Sequence, residues 1–599
     1  MPLKKTASLN VELLEPRTLL SSAFVNVNIS RITGNQAEGS ITVDRADPSR
    51  VFAVSNIESG DGVLFGSSTD GGATWTHRLI GNDTDGLTPA CCDPSMAADT
   101  YGNLFLTYLS ADANDVALLL STDSGQTFHT LDTIHGDVDQ PTVTSGPGGI
   151  WLSFQRGGTM TVVGAPVTGL NQVGAFTPLT RLRGGGNGNF GDIAVGPDGQ
   201  VMVTYQRKAG HGRSQIFVNV DPDGFGPAPF GKQILATQTR VGNFDLIPAQ
   251  PSRGIDAEAG LAFDRSNDAF RGRVYLVYTD QFPTNSANSD IFVRYSDNQG
   301  VTWSNPIRVN DDSTTNSQFL PRISEDDTTG KVAVGWYDAR NDSGVGGAGD
   351  TNGKPNDDAA YYATLITPAT DGLLVSANQQ ISAGVSNAND AANSIDLGDY
   401  TGLDFYAGSF RPLWFDNSNS TADNPAGALR SLDVYTAAVG DSDFSVPSVT
   451  ALGGLAEPSG PVAALYLRGA ANPGAVRSGS SYTITVSYAD ADGVSLSSLG
   501  NSNLLIAGPG AFVANAQFVR ARLQSHGTVA RVTYRVINPS GKWTAADGGT
   551  YTIALEPNQI LDSRSRFSTS GILGTFVVGT DLSGASSTTN GSGRDPDHH

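Results

Sequence analysis

The sequence predicts an all-β protein: a ring of repeated four-stranded sheets followed by a small sandwich of strands. Three observations carry that expectation. The composition suits many short strands joined by turns, with 71 Gly and 30 Pro among 599 residues and only 16% charged. An eight-residue turn motif occurs three times. A pair of adjacent strands recurs seven times, about 60 residues apart on average.

The turn motif reads S-x-[DN]-x-G-x-T-[WF]. Its copies are Ser68, Asp70, Gly72 and Trp75; Ser121, Asp123, Gly125 and Phe128; and Ser296, Asn298, Gly300 and Trp303. The acid or amide can bond turn N–H groups, Gly supplies a backbone angle other residues resist, and the aromatic packs beneath. The motif resembles the Asp box, or BNR repeat, of the sialidase-like β-propellers. In that family it joins the outer strands of a blade, so the resemblance implies architecture and says little about activity.

The strand pair starts near a polar residue, alternates, turns, and continues into a nearly all-apolar strand. Its seven anchors are Ile41, Met96, Val143, Ile193, Leu261, Ile323 and Leu403. Their mean spacing is about 60 residues, which fits four-stranded blades with loop insertions. The apolar second strands, such as Leu104 to Tyr108 and Val274 to Tyr278, should be covered on both faces by neighbouring blades. The last copy is followed by one clear strand, 432–438. The alternating segment 23–30 can supply the missing outer strand and remove the exposed edges of an open ring. A sialidase-like propeller of seven blades over residues 23–444 is the expectation, with six blades, the sialidase count, as the alternative.

Beyond a linker at 445–459, short strands at near-regular spacing over 460–579 resemble the immunoglobulin-like sandwiches appended to bacterial exported proteins. Residues 580–599 are Ser/Thr/Gly-rich and read as a disordered tail. At the other end, Leu14 to Ser21 reads L-E-P-R-x-L-L-S. It resembles the LEPR-XLL leader of large bacterial surface proteins, which assigns residues 1–22 to export and places the protein outside the cell or on its surface. The net charge of −22 argues against nucleic acid or anionic lipid as partner. No apolar run is long enough to span a membrane. A monomer that meets a glycan or another extracellular polymer is expected.

Candidate sites are few. Cys91 and Cys92, the two cysteines, are adjacent; a vicinal disulfide, two buried thiols and a metal site are the alternatives. Asp338, Asp342, Asp350, Asn352, Asp357 and Asp358 crowd one Gly-rich loop, where hard oxygens would suit calcium; a solvated insertion is the other reading. No other cofactor is indicated. Sialidases clamp the substrate carboxylate with three arginines, and use an acidic proton donor and a Tyr paired with a Glu. The resemblance places the first arginine at the start of blade one, where Glu38-Gly39-Ser40-Ile41 has none. Arg322 and Arg411 are expected to face the channel, and Asp256 with Glu258 to form paired carboxylates or to bond turn backbone. Binding without sialidase chemistry is the favoured function. A glycoside hydrolase with altered catalytic residues and a structural or adhesive envelope component are the alternatives.

Overall fold

A computed structural model describes residues 24–444, apart from 208–212, 282–285, 348, 370, 371 and 392, together with 461–465 and most of 481–578. The leader at 1–22, the linker at 445–459 and the tail at 580–599 lie outside the described residues. The chain forms two compact units.

The first unit is a seven-bladed propeller. Its inner strands are Gln36–Val43, Ala90–Ala98, Val138–Gly146, Gly188–Val195, Gly260–Phe263, Gln318–Glu325 and Gly402–Tyr406. Each pairs antiparallel with the strand that follows it, and the inner strand of blade seven lies against that of blade one. The second strands carry the apolar runs. Val51–Ile57, Leu104–Ser110, Val274–Gln281 and Val332–Asp338 are buried along their whole length, because each packs between two neighbouring blades.

Closure follows the expected route. Asn26–Asn28 adds to blade seven beside Asp433–Ala437, with Asn26 opposite Ala437 and Asn28 opposite Tyr435. Short side chains then stitch blade to blade around the channel. Ser40 Oγ accepts from Met96 N at 3.1 Å, Thr42 Oγ1 from Ala98 N at 3.2 Å, and Ser95 Oγ from Val143 N at 3.2 Å. Asp192 does the same for Leu261 N at 2.9 Å, and Ser324 for Phe405 N at 3.0 Å. The ring is completed by Asp404, which accepts from Val43 N at 2.6 Å and holds the Arg45 guanidinium at 2.7 Å.

The three repeated turns lie between the third and fourth strands of blades one, two and five. Ser68 Oγ donates to Asp70 at 2.8 Å and accepts from Gly72 N at 2.9 Å, while Thr74 N and Oγ1 donate to the two oxygens of Asp70. The Thr74 hydroxyl and amide hold the Asp70 carboxyl down at about 2. Ser121 and Asp123 repeat this pattern. In the third copy Asn298 Nδ2 donates to Thr302 Oγ1 instead; the turn needs an acceptor at this position, not a charge.

One expectation needs correction. Arg411 does not face the channel. It lies on the second strand of blade seven, Ser409–Asp416, and its Nε donates to Gly71 O at 3.0 Å, tying that blade to the first repeated turn.

The second unit is a β-sandwich. One sheet orders Val462–Leu465, Tyr482–Ala489, Val529–Val536 and Gln517–Gln524; the other orders Phe512–Asn515, Leu504–Gly508, Gly549–Leu555 and Gly571–Val578. Ile484, Val486, Tyr534, Trp543, Tyr551 and Phe576 meet between them.

Candidate functional site

The inner strands run the same way along the channel, so their starts gather at one end and their ends at the other. The far end is electrically settled. Arg45 pairs with Asp404 at 2.7 Å and Arg265 with Asp327 at 2.9 Å. Burial and the neighbouring Asp327 push the Glu325 carboxyl up to about 10, so it is neutral there.

The near end, the mouth, is built by a repeated backbone device. Three residues before each anchor the chain carries Glu38, Asp93, Gln140, Phe190, Glu258, Leu320 and Tyr400. The first six are left-handed, with φ of 52°, 54°, 47°, 52°, 40° and 50°. Pairing with the second strand breaks at this place in blades one, two, three, four and six. A bulge of this kind re-aims one side chain. A non-glycine residue pays roughly 1–2 kcal/mol to enter the left-handed region. Six such residues at one repeat position mark the mouth as a place where the fold tolerates strain. Leu320 turns into the core; Gln140, Phe190, Glu258 and Tyr400 line the upper channel, and Glu38 and Asp93 line a cavity of about 490 Å³ beside it.

Two insertions finish the mouth. The hairpin of Asp245–Ile247 and Gln250–Ile255 locks onto segment 393–399. Gln250 bonds Leu397 N and Gly398 O, and Asp396 accepts from Ser252 N and Arg253 N at 2.8 and 2.7 Å. This delivers Arg253 to Asp399, with Nε to Oδ1 at 2.6 Å and Nη2 on the second oxygen. The guanidinium lies 4.6 Å over Phe244, which meets the Phe190 ring edge-on at 5.3 Å.

The mouth has more acid than base. Burial, then Asp139 and Asp399, push the Asp93 carboxyl up to about 7. Burial, Asp399 and Asp93 push Glu38 well above the usual range. Asn56 Nδ2 donates to Glu38, and Gln140 N to Asp93 at 3.3 Å. Burial and the charges of Asp93, Glu38 and Asp399 also hold the Tyr400 phenol far above its ordinary value.

Of the expected residues, Arg322 does enter the channel, and its Nη1 meets Glu258 Oε1 at 3.3 Å. Asp256 and Glu258 are both buried. Asp256 accepts from Glu258 N at 2.6 Å and so shapes the turn. Cys91 and Cys92 are joined by a disulfide on the cavity wall, in the strand that ends its bulge at Asp93. The sequence reading missed Glu38, Asp93, Asp139, Arg253, Asp399 and Tyr400. Aligning the seven repeats at the position three before the anchor would have shown three of them. Asp139 and Asp399 stand one place further back, four before their anchors, whereas Arg253 lies on an insertion outside the repeat and leaves no such trace.

Of the six residues of the calcium expectation, three come together. Asp342, Asp350 and Asp358 bring carboxylate oxygens within 4.8 Å of one another and are buried. Asp338 belongs elsewhere, bonded to Trp336 Nε1 and Arg340. Asn352 donates to Asp357 at 3.1 Å. With one oxygen each, three carboxylates supply about half of a calcium shell, and loop N–H groups such as those of Gly353, Thr351 and Asp357 already bond them.

No protein-family model matches the chain, and no curated protein sequence matches it. Solved structures do resemble it. An α-L-arabinanase of Penicillium chrysogenum, complexed with arabinobiose, is 12% identical with a TM-score of 0.36, over 71% of this chain and 100% of that one. The intramolecular trans-sialidase of Ruminococcus gnavus is 12% identical with a TM-score of 0.33, over 70% and 97%. A Dyadobacter fermentans protein of unknown function is 11% identical with a TM-score of 0.36, over 69% and 97%. Likeness at this level carries nothing about chemistry; the propeller rests on its own strand pairing.

Proposed function

We propose that the protein recognises a glycan or other extracellular polymer at the channel mouth and does not perform sialidase chemistry. One observation carries this reading: the two arginines among the described residues that line the mouth and its cavity are bound to carboxylates, Arg253 to Asp399 and Arg322 to Glu258. Neither is left to clamp an acidic sugar. Export fits the leader-like motif and the Cys91–Cys92 disulfide, which persists in oxidising surroundings. The sandwich, whose strand order suits an immunoglobulin-like module, serves as a spacer or anchor in this reading. A fluorogenic α-sialoside should release no product, while a glycan array with the full chain should show saturable binding. Turnover at enzyme rates, abolished by Arg322→Ala, would overturn the proposal.

A hydrolase reading draws on a separate observation. Tyr400 stands in the field of Glu38 and Asp93, and Asp93 titrates at about 7, where a general acid works. Release of a fluorophore from neutral glycosides, lost in Asp93→Asn with binding kept, would favour it.

A further inference from the structure

We propose that the mouth cavity takes a saccharide carrying a free ammonium group, a glucosamine-type unit, in preference to a neutral or anionic sugar. The inference rests on the glycan-recognition reading and names its ligand class.

Glu38, Glu58, Asp93 and Asp139 line the cavity, and Arg253 is the one cation among its described lining residues. Asp399 holds that guanidinium through both oxygens, so its charge is shared with a carboxylate of its own and only partly offsets Glu38 and Asp93. A second observation is independent of the charge. Asn56 lines the cavity, is 7% exposed, and gives its Nδ2 to Glu38, yet its Oδ1 accepts nothing. Asn189, 3% exposed beside the mouth, gives its Nδ2 to Asp139 at 3.3 Å and likewise leaves Oδ1 without a donor. A buried acceptor without a donor costs about 1–3 kcal/mol, and a ligand donor removes that cost.

An ammonium brings three donors and one positive charge. Bound in the cavity beside Glu38 and Asn56, it can donate to the amide oxygen and offset the carboxylate together. A hydroxyl satisfies the amide and leaves the acids repelling one another. A carboxylate ligand adds to the repulsion. Burial first, and then the neighbouring carboxylates, displace Glu38 and Asp93 upward in the unliganded protein. At about 490 Å³ the cavity falls within the range of small-ligand sites. A lysine side chain would leave most of that width empty, whereas a sugar ring with its hydroxyls fills it.

The test is calorimetry on the full chain with short ligands, because a chain of net charge −22 attracts any polycation. The ligands are the glucosamine dimer, its N-acetylated form and a lysyl dipeptide, at about 0.15 M salt. The glucosamine dimer should bind at least about tenfold more tightly than the N-acetylated dimer. The Glu38→Gln/Asp93→Asn double variant should lose that preference while melting no lower than the parent. Equal binding of the two dimers overturns the inference and leaves glycan recognition standing. A preference that survives in a folded double variant overturns it as well, since the attraction is then general. Tighter binding of the lysyl dipeptide removes the saccharide assignment, and failure of both sugars to bind a folded protein removes the glycan reading with it.

Discussion

Asp93 shows how much one residue can depend on its surroundings. Its carboxyl follows the Cys91–Cys92 disulfide, occupies a left-handed position and faces like charges. Its pKa is about 7 in the folded chain against about 3.9 unfolded. The folded state therefore holds a proton that the unfolded state has lost between those values. The stability this proton lends is full below pH about 4 and is gone once pH has risen through about 7. Melting temperature should fall across that window, and Asp93→Asn should flatten the fall and melt higher at neutral pH. A variant with the parent's slope would assign the effect to Glu38 alone. The adjacent cysteines make a separate prediction. Protein unfolded without reductant should show no alkylatable thiol, and its mass should be two protons light; two labelled thiols would contradict the disulfide.

At the scale of the element, the repeated turns and bulges do different work. The turns are built from local chemistry, Ser, Asp or Asn, Gly and Thr within eight residues, so the sequence shows them openly. Gly125 adds a tertiary constraint: its φ is +75° and a Cβ there would lie 2.5 Å from Phe65 Cζ. Gly86, with φ +78°, has nothing within 4 Å. Gly86→Ala should cost only the backbone strain, about 1 kcal/mol. Gly125→Ala should cost roughly 1–3 kcal/mol more from overpacking, read as a lower urea midpoint. The bulges have no residue signature. Glu, Asp, Gln, Phe and Leu all occupy the left-handed position, because neighbouring strands and the channel impose the conformation.

For the whole molecule, closure decides stability. The ring is sealed by the outer strand Asn26–Asn28 and by Asp404, whose carboxylate serves Arg45 and Val43 N with only 10% of its side chain exposed. Asp404→Ala leaves the Arg45 cation buried and should cost about 3–5 kcal/mol. Asp47→Ala removes a pair whose members are 44% and 40% exposed and should leave the denaturation midpoint unchanged. Removing residues 24–30 should expose the edge of blade seven and promote association through it, visible as larger species in scattering. A truncated chain with the parent's size and an unchanged midpoint would show that closure does not depend on this strand.

The sequence by itself determined the all-β class, the seven-fold repeat, the closing strand and the chemistry of the turns. These are written in short-range periodicity and local hydrogen bonding, which survive without knowledge of the partners. Only the tertiary structure decided the site. Glu38, Asp93, Arg253, Asp399 and Tyr400 are separated by up to hundreds of residues and meet because the inner strands start at one end of one channel and the hairpin carrying Arg253 is locked onto segment 393–399 there. Arg411 and Arg322 look alike in sequence, each beside an apolar strand, yet one pins a turn and the other enters the channel. Strand pairing and blade order fix that difference, and neither is a property of the residue or its neighbours in the chain.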